Sequence, residues 1–264
     1  MLPDRIIAGL LAFALALFPS LVFAQSAVLN GFPPGTFQSR AAIDAPVASS
    51  ATLTYEAFAT ENAGTNTAVF TSVNLGTAAS NRVIAVIPMT RAATGPPTTV
   101  TSVVFTVGAT ATLSQVSGAA ANSGASQVVS TDIWYASVPS GTSATITVVW
   151  SGTNTRTGIY VYAINTSTPT PSSGANIATT IVTTLTQSIT VPAGGVGIAG
   201  WMTQQTGNTD TFTAGATLDN ASALAGATNG VAAGHTTATG SVSVTASSTP
   251  TGNTMAMSLA SWGP

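Results

Sequence analysis

The sequence predicts an all-β chain: an antiparallel two-sheet β-sandwich, jelly-roll-like, behind an N-terminal signal or hydrophobic helix. Three observations carry this expectation. After Ala51, segments such as ATLTYEAF, SATITVVW and GSVSVTAS alternate apolar with hydroxyl residues. That period of two sets one strand face on a core and the other in water. Clusters of Gly, Pro, Asn and Ser punctuate the segments, as turns do. Beyond Phe23 no stretch keeps the spacing of an amphipathic helix.

In chain order the strand-like segments are ATLTYEAF, AVFTSVNL, RVIAVIPM, TTVTSVVFTV, ATLSQV, VVSTDIWYASV, SATITVVW and RTGIYVYAI, then IVTTLTQSITV, GVGIAGWM, DTFT, GSVSVTAS and MAMSLASW. RVIAVIPM is apolar on both faces and reads as a central strand covered on each side. Most others set Thr or Ser against Val or Ile, and stiff β-branched Thr suits an outer pleated face. Many short strands without intervening helices imply two packed sheets. The segments WYASVPSGTSATITVVW and QSITVPAGGVGIAGW both run strand, Val-Pro, Gly-containing turn, strand. This is a shared hairpin pattern, too weak to define a repeat.

The N-terminus reads MLPDRIIAGLLAFALALFPSLVFAQS. Arg5 precedes an apolar stretch from Ile6 to about Phe18, Pro19 breaks it, and Ala24 ends it with a small residue. That is the layout of a secretory signal peptide cleaved after Ala24; the alternative is an uncleaved anchor over Ile6 to Phe23. Three regions follow: the leader over 1–24, a linker or N-terminal arm over 25–50, and one β-sandwich domain over 51–264. The mature chain is expected to be secreted, on an extracellular surface or a virion.

Composition excludes several partners. Of 264 residues only 5% are charged, with a net charge of −2, against roughly 25% in ordinary domains. There is no Lys, and Arg5, Arg40, Arg82, Arg91 and Arg156 are isolated. Nucleic acid and anionic membranes need clustered cations, so neither is expected to bind the mature domain. The absence of Cys removes disulfides and thiolate metal sites.

Few motifs carry chemistry. Gly195, Gly197 and Gly200 fit G-x-G-x-x-G. A dinucleotide fingerprint, however, must open a helix whose N-terminus holds the pyrophosphate. Pro192-Ala-Gly-Gly is turn chemistry and no helical spacing follows, so the glycines read as a hairpin. His235 is the only histidine. Asp210 or Asp219 could complete a Ser-His-Asp set, but no G-x-S-x-G elbow exists, and GVAAGHTTATG places His235 in a solvated turn. Asp132, before Ile-Trp-Tyr, reads as a strand-edge or turn acid. Glu56 and Glu61 are near in sequence, but Glu61 runs into an exposed turn. No catalytic set, no metal site and no organic cofactor are expected. A structural calcium ion is the exception that the loops GNTDTF and LDNASA could hold.

Aromatics suggest the ligand-binding candidates Tyr160, Tyr162, Trp134 and Tyr135. In DIWYASV, Trp134 and Tyr135 point to opposite faces, so one stands outside the core or under a loop. In GIYVYAI, Tyr160 and Tyr162 share a face opposite Ile159, Val161 and Ala163. If the aliphatic face is the core, the tyrosines form an exposed stripe suited to sugars. The competing reading places the aromatics, with Trp150 and Trp262, inside the sandwich.

The succession NRVIAVIPM, TSVVFTVGATATL, IWYASVPSGTSATITVVWSG, RTGIYVYAI, SITVPAGGVGIAGW and MSLASWGP resembles β-sandwich domains of uncharacterised phage and prophage virion proteins and bacterial surface proteins. The resemblance spans most of the mature chain and its motifs are structural, not catalytic. It implies a non-catalytic structural or assembly protein that contacts copies of itself or other surface or virion proteins. The alternative is a secreted carbohydrate-binding module or adhesin recognising glycans. A secreted hydrolase is the remote alternative.

Overall fold

The computed structural model describes residues 49–62, 64–94, 98–123, 126–204, 210–224, 229–248 and 253–264. The leader and almost all of the expected arm lie outside these residues. The described chain is all-β, and every strand pairing is antiparallel.

The first half contributes β1 (Thr52–Glu61), β2 (Thr67–Asn74), β3 (Arg82–Thr94), β4 (Val100–Gly108), β5 (Ala111–Thr112), β6 (Ser114–Gln115), β7 (Ala121–Ser123), β8 (Ser126–Thr131), β9 (Trp134–Ser137), β10 (Ser143–Trp150) and β11 (Arg156–Asn165). Sheet A has the order β1-β11-β3-β8-β7, with β9 also on β3 and β6 on β9; sheet B has the order β2-β10-β4-β5. The second half contributes β12 (Ser173–Val182), β13 (Thr184–Val191), β14 (Val196–Thr203), β15 (Thr211–Ala214), β16 (Thr217–Ala223), β17 (Gly230–Thr236), β18 (Gly240–Ser247) and β19 (Asn253–Trp262). Sheet C runs β12-β19-β14-β17-β16 and sheet D runs β13-β18-β15.

The expected two sheets are therefore four, because the second half repeats the strand order of the first. In each half the first strand pairs with the last, which pairs with the third. In each half the second strand pairs with the penultimate, which pairs with the fourth. The shared Val-Pro segments are not the repeated parts. The first joins β9 of sheet A to β10 of sheet B, and the second joins β13 of sheet D to β14 of sheet C. Both are arches between sheets, not the hairpins expected from sequence.

Three cores hold the layers in the order B, A, C, D. Phe70, Val86, Phe105, Ile146 and Val161 fill the first, between B and A. Ile87, Met89, Tyr160, Ile198, Ala233 and Trp262 fill the second, between A and C. Leu185, Ile189, Trp201, Val244 and Met257 fill the third, between C and D. At ~1.5–3 kcal/mol for each large apolar side chain buried, these cores replace the disulfides the chain lacks. β3 is covered on both faces, as RVIAVIPM predicts, and so is β11.

Glycine is required where layers or connections approach closely. Gly194 turns with φ of 72° just before β14, and Gly195 N–H donates to Pro192 O at 2.9 Å. A Cβ on Gly200 would stand 2.5 Å from Ile87 Cγ2 across the A–C core. The G-x-G-x-x-G glycines thus serve a turn, a strand and a packing contact.

Candidate functional site

The expected tyrosine stripe is corrected by the packing. Strand alternation places Tyr160 and Tyr162 together, as read from GIYVYAI, but both are 0% exposed. Their face meets sheet C, while Ile159, Val161 and Ala163 meet sheet B. The legible signal is the absence of Thr or Ser between Ile159 and Ile164, a pattern closer to RVIAVIPM than to an outer strand. Tyr160 donates to Val231 O at 3.1 Å and Tyr162 to Asp219 Oδ2 at 2.9 Å. Burial pushes both phenols far above the ordinary tyrosine range. Phe58 lies 4.6 Å from Tyr160 between ring centroids, and Tyr55 meets Tyr162 edge-on at 5.7 Å. Nothing in the sequence singles out Tyr55 or Phe58, since β1 reads as an ordinary alternating strand.

His235 is likewise corrected. It lies within β17, sharing a face with the core residues Val231 and Ala233, and not in a solvated turn. Its Nδ1 sits 2.7 Å from Asp219 Oδ1 and 2.9 Å from Oδ2. Asp219 is the extra residue where the β16–β17 register shifts between Leu218 and Asn220, and a bulge re-aims its side chain. LDNASA is therefore strand β16 and not a calcium loop, while GNTDTF extends beyond the described residues. The cluster joins Tyr162 of the first half to Asp219 and His235 of the second. An oriented imidazole is half of a hydrolytic arrangement, but the described residues place no hydroxyl in hydrogen-bond contact with His235.

Asp132 lies just past the end of β8, in the two-residue break before β9, and is buried there. Its Oδ1 accepts Ile133 N–H at 2.8 Å; its Oδ2 accepts Trp134 Nε1–H at 2.8 Å and Gln115 Nε2–H at 2.6 Å. Burial still pushes the carboxyl up to about 6. Trp134 is buried against sheet B and presents no open face to a ligand. Glu61 accepts the edge N–H of Val69 at 2.6 Å. Glu56, held by Asn74 at 3.1 Å, lines an open cavity of about 500 Å³ with Thr54, Thr142 and Asn165. Among the described residues no group of three His, Asp or Glu could hold a metal ion.

Tyr135 alone of the four aromatic candidates keeps a partly open position at a cavity, one of about 240 Å³ shared with Gln115, Ser117, Pro171 and Ser172. No family model, no curated protein and no solved structure matches the chain.

Proposed function

We propose that this chain is a non-catalytic structural protein of a virion or cell surface, built as two tandem jelly rolls and acting through protein–protein contacts. The strand order supports the jelly-roll reading. Each half sets its first, last, third and a later strand in one sheet, and its second, penultimate and fourth strands in the other.

One observation carries the assembly reading. Among the described residues no Asp, Glu, Arg or His is fully exposed: Arg82, Asp132 and Asp210 are buried and the rest are half-buried. Soluble monomers remain apart largely through exposed charge, and a neutral surface favours association. The outer face of sheet D illustrates the surface type. Thr186, Ser188 and Thr190 on β13 stand opposite Thr245, Ser243 and Ser241 on β18. Such a coat forms many weak, charge-free contacts and suits a repeated lattice.

The test is the assembly state of the purified mature chain. Sedimentation and electron microscopy at micromolar concentration should show a defined oligomer or fibre that persists in high salt, since no ion pairs are needed to hold it. A monomer at every concentration and ionic strength would remove the proposal.

A further inference from the structure

We propose that the cleft at Tyr135, between the two halves, binds a single uncharged sugar ring. One wall comes from the first half: Tyr135 on β9, Gln115 on β6, and Ser117. The other comes from the second half and the segment leading into it: Pro171 and Ser172. The site exists only because the sandwich is duplicated, and ligand sites favour such junctions.

The cleft is rigid. Trp262 meets the Tyr135 ring edge-on with centroids 6.2 Å apart, fixing the ring while leaving it partly open. Gly174 lets the walls approach: a Cβ there would stand 2.9 Å from Val116 Cγ1 and overlap the Ser117 carbonyl. Asn176 Nδ2 donates to Gly118 O at 2.7 Å and ties the walls together. Little is left to order when a ligand arrives.

The lining selects the chemical class. The Tyr135 and Pro171 rings supply flat apolar surface for the C–H face of a pyranose. Gln115 stands opposite Trp134 in the β6–β9 ladder and turns its amide to Asp132 at 2.6 Å, so it walls the cleft and leaves the hydrogen bonding to hydroxyls. The hydroxyls of Tyr135, Ser117 and Ser172 make no hydrogen bond to the described residues. Among the described residues no Asp, Glu, Arg or His lines the cleft, so nothing rewards a charged ligand. A volume of about 240 Å³ lies below the ~300 Å³ floor of drug-sized pockets, enough for one ring.

Ligand-observed saturation-transfer NMR tests this on the full mature chain, whatever its assembly state. The probes are glucose, galactose, mannose, rhamnose and N-acetylglucosamine, with a proline hexapeptide as competitor, since extended proline segments also dock on aromatic clefts. At least one sugar should show saturation transfer with about millimolar affinity. Tyr135→Ala should weaken it roughly tenfold and Tyr135→Phe far less. Ser172→Trp, at an exposed position, should abolish it with the melting temperature unchanged. That variant keeps the test decisive if Tyr135→Ala unfolds. No transfer from any sugar, transfer unaffected by Ser172→Trp, or a response to the peptide alone would each overturn the assignment.

Discussion

Asp132 N–H donates to Pro88 O at 3.2 Å, across from a proline set in the middle of a central strand. A strand residue directs its N–H and C=O to the same side, so the missing N–H of Pro88 faces the gap between β8 and β9. Proline weakens a central strand because it cannot donate to the ladder; here the neighbouring strand is broken at that place. Asp132 stabilises the break by accepting the Ile133 backbone N–H there, together with the side-chain donors of Trp134 and Gln115.

Burial of the carboxyl outweighs these hydrogen bonds and makes stability fall as pH rises. Burial pushes Asp132 up to about 6 and Asp210 up to about 7. An acid whose folded pKa exceeds its unfolded value near ~3.9 imposes no penalty below that value and the full penalty above its folded pKa. At ~1.4 kcal/mol per pKa unit the two lower stability by several kcal/mol. Calorimetry should show a melting temperature that declines between about pH 4 and pH 7. Asp132→Asn should flatten the part of that slope below about pH 6 and keep the fold. Asp132→Ala should cost ~2–4 kcal/mol by orphaning the Trp134 and Ile133 donors. A flat profile in the wild type would refute this account.

Arg82 should not tolerate lysine. Its guanidinium donates to Val138, Leu75, Gly76, Ser140 and Gly141 carbonyls at 2.7–3.1 Å, using all five donors to pin the β2–β3 and β9–β10 arches between sheets A and B. An ammonium has three donors and no fork. Arg82→Lys should cost about 3 kcal/mol or more, read as a lower urea midpoint at unchanged slope. A loss below about 1 kcal/mol would show that the arches hold without it.

Much of the fold was legible because alternation is a local property. SATITVVW and GSVSVTAS coincide with β10 and β18. The strands missed outright are β7, β16 and β17, and in β17 the buried Gly230, Ala232, Ala233 and Gly234 read as turn chemistry. Those residues are small because neighbours press on them: a Cβ on Gly234 would stand 2.8 Å from the Phe212 ring. Losing β17 hid the second pair of sheets, and with it the layer that covers Tyr160 and Tyr162. The Asp219–His235 contact was illegible for another reason. It depends on a bulge register, which no local pattern encodes.

The Asp219 cluster should behave as a staple between the halves. Asp219→Ala leaves the buried Tyr162 hydroxyl without its acceptor and should cost ~2–3 kcal/mol. His235→Ala should cost under ~1 kcal/mol, because His235 is 30% exposed and Asp219 still serves Tyr162. Adding Tyr162→Phe to Asp219→Ala should restore part of the loss, since removing both partners leaves no orphan. Equal losses from Asp219→Ala and His235→Ala in chemical denaturation would contradict the ranking.

Gly200 should report on the packing of sheet C against sheet A. Gly200→Ala forces its methyl onto Ile87 Cγ2 and Met89 Cε, at 2.5 and 2.9 Å. Met89 can move, but Ile87 is stiff, so the cost should be ~1–3 kcal/mol. Ile87→Ala alone should cost ~2–5 kcal/mol. The double variant should be more stable than the sum of the two losses predicts, by at least ~0.5 kcal/mol. Strict additivity would mean that the two sheets do not pack at this point.

Val107 offers the opposite sign, a substitution that should stabilise. It is 77% exposed and holds φ of 55°, where a β-branched side chain is strained. The strain follows from register: Thr106 and Gly108 pair with consecutive residues of β10, so Val107 is the extra residue in the strand and is pushed outward. Asn adopts this backbone region far more readily than Val, and no buried apolar contact is lost at so exposed a position. Val107→Asn should therefore add about 1 kcal/mol, a rise of ~2–4 °C in melting temperature for a chain of this size. Val107→Gly should gain less, because glycine also frees the unfolded chain. If Val107→Asn lowers the melting temperature, the exposed valine is contributing a contact that strain alone does not explain.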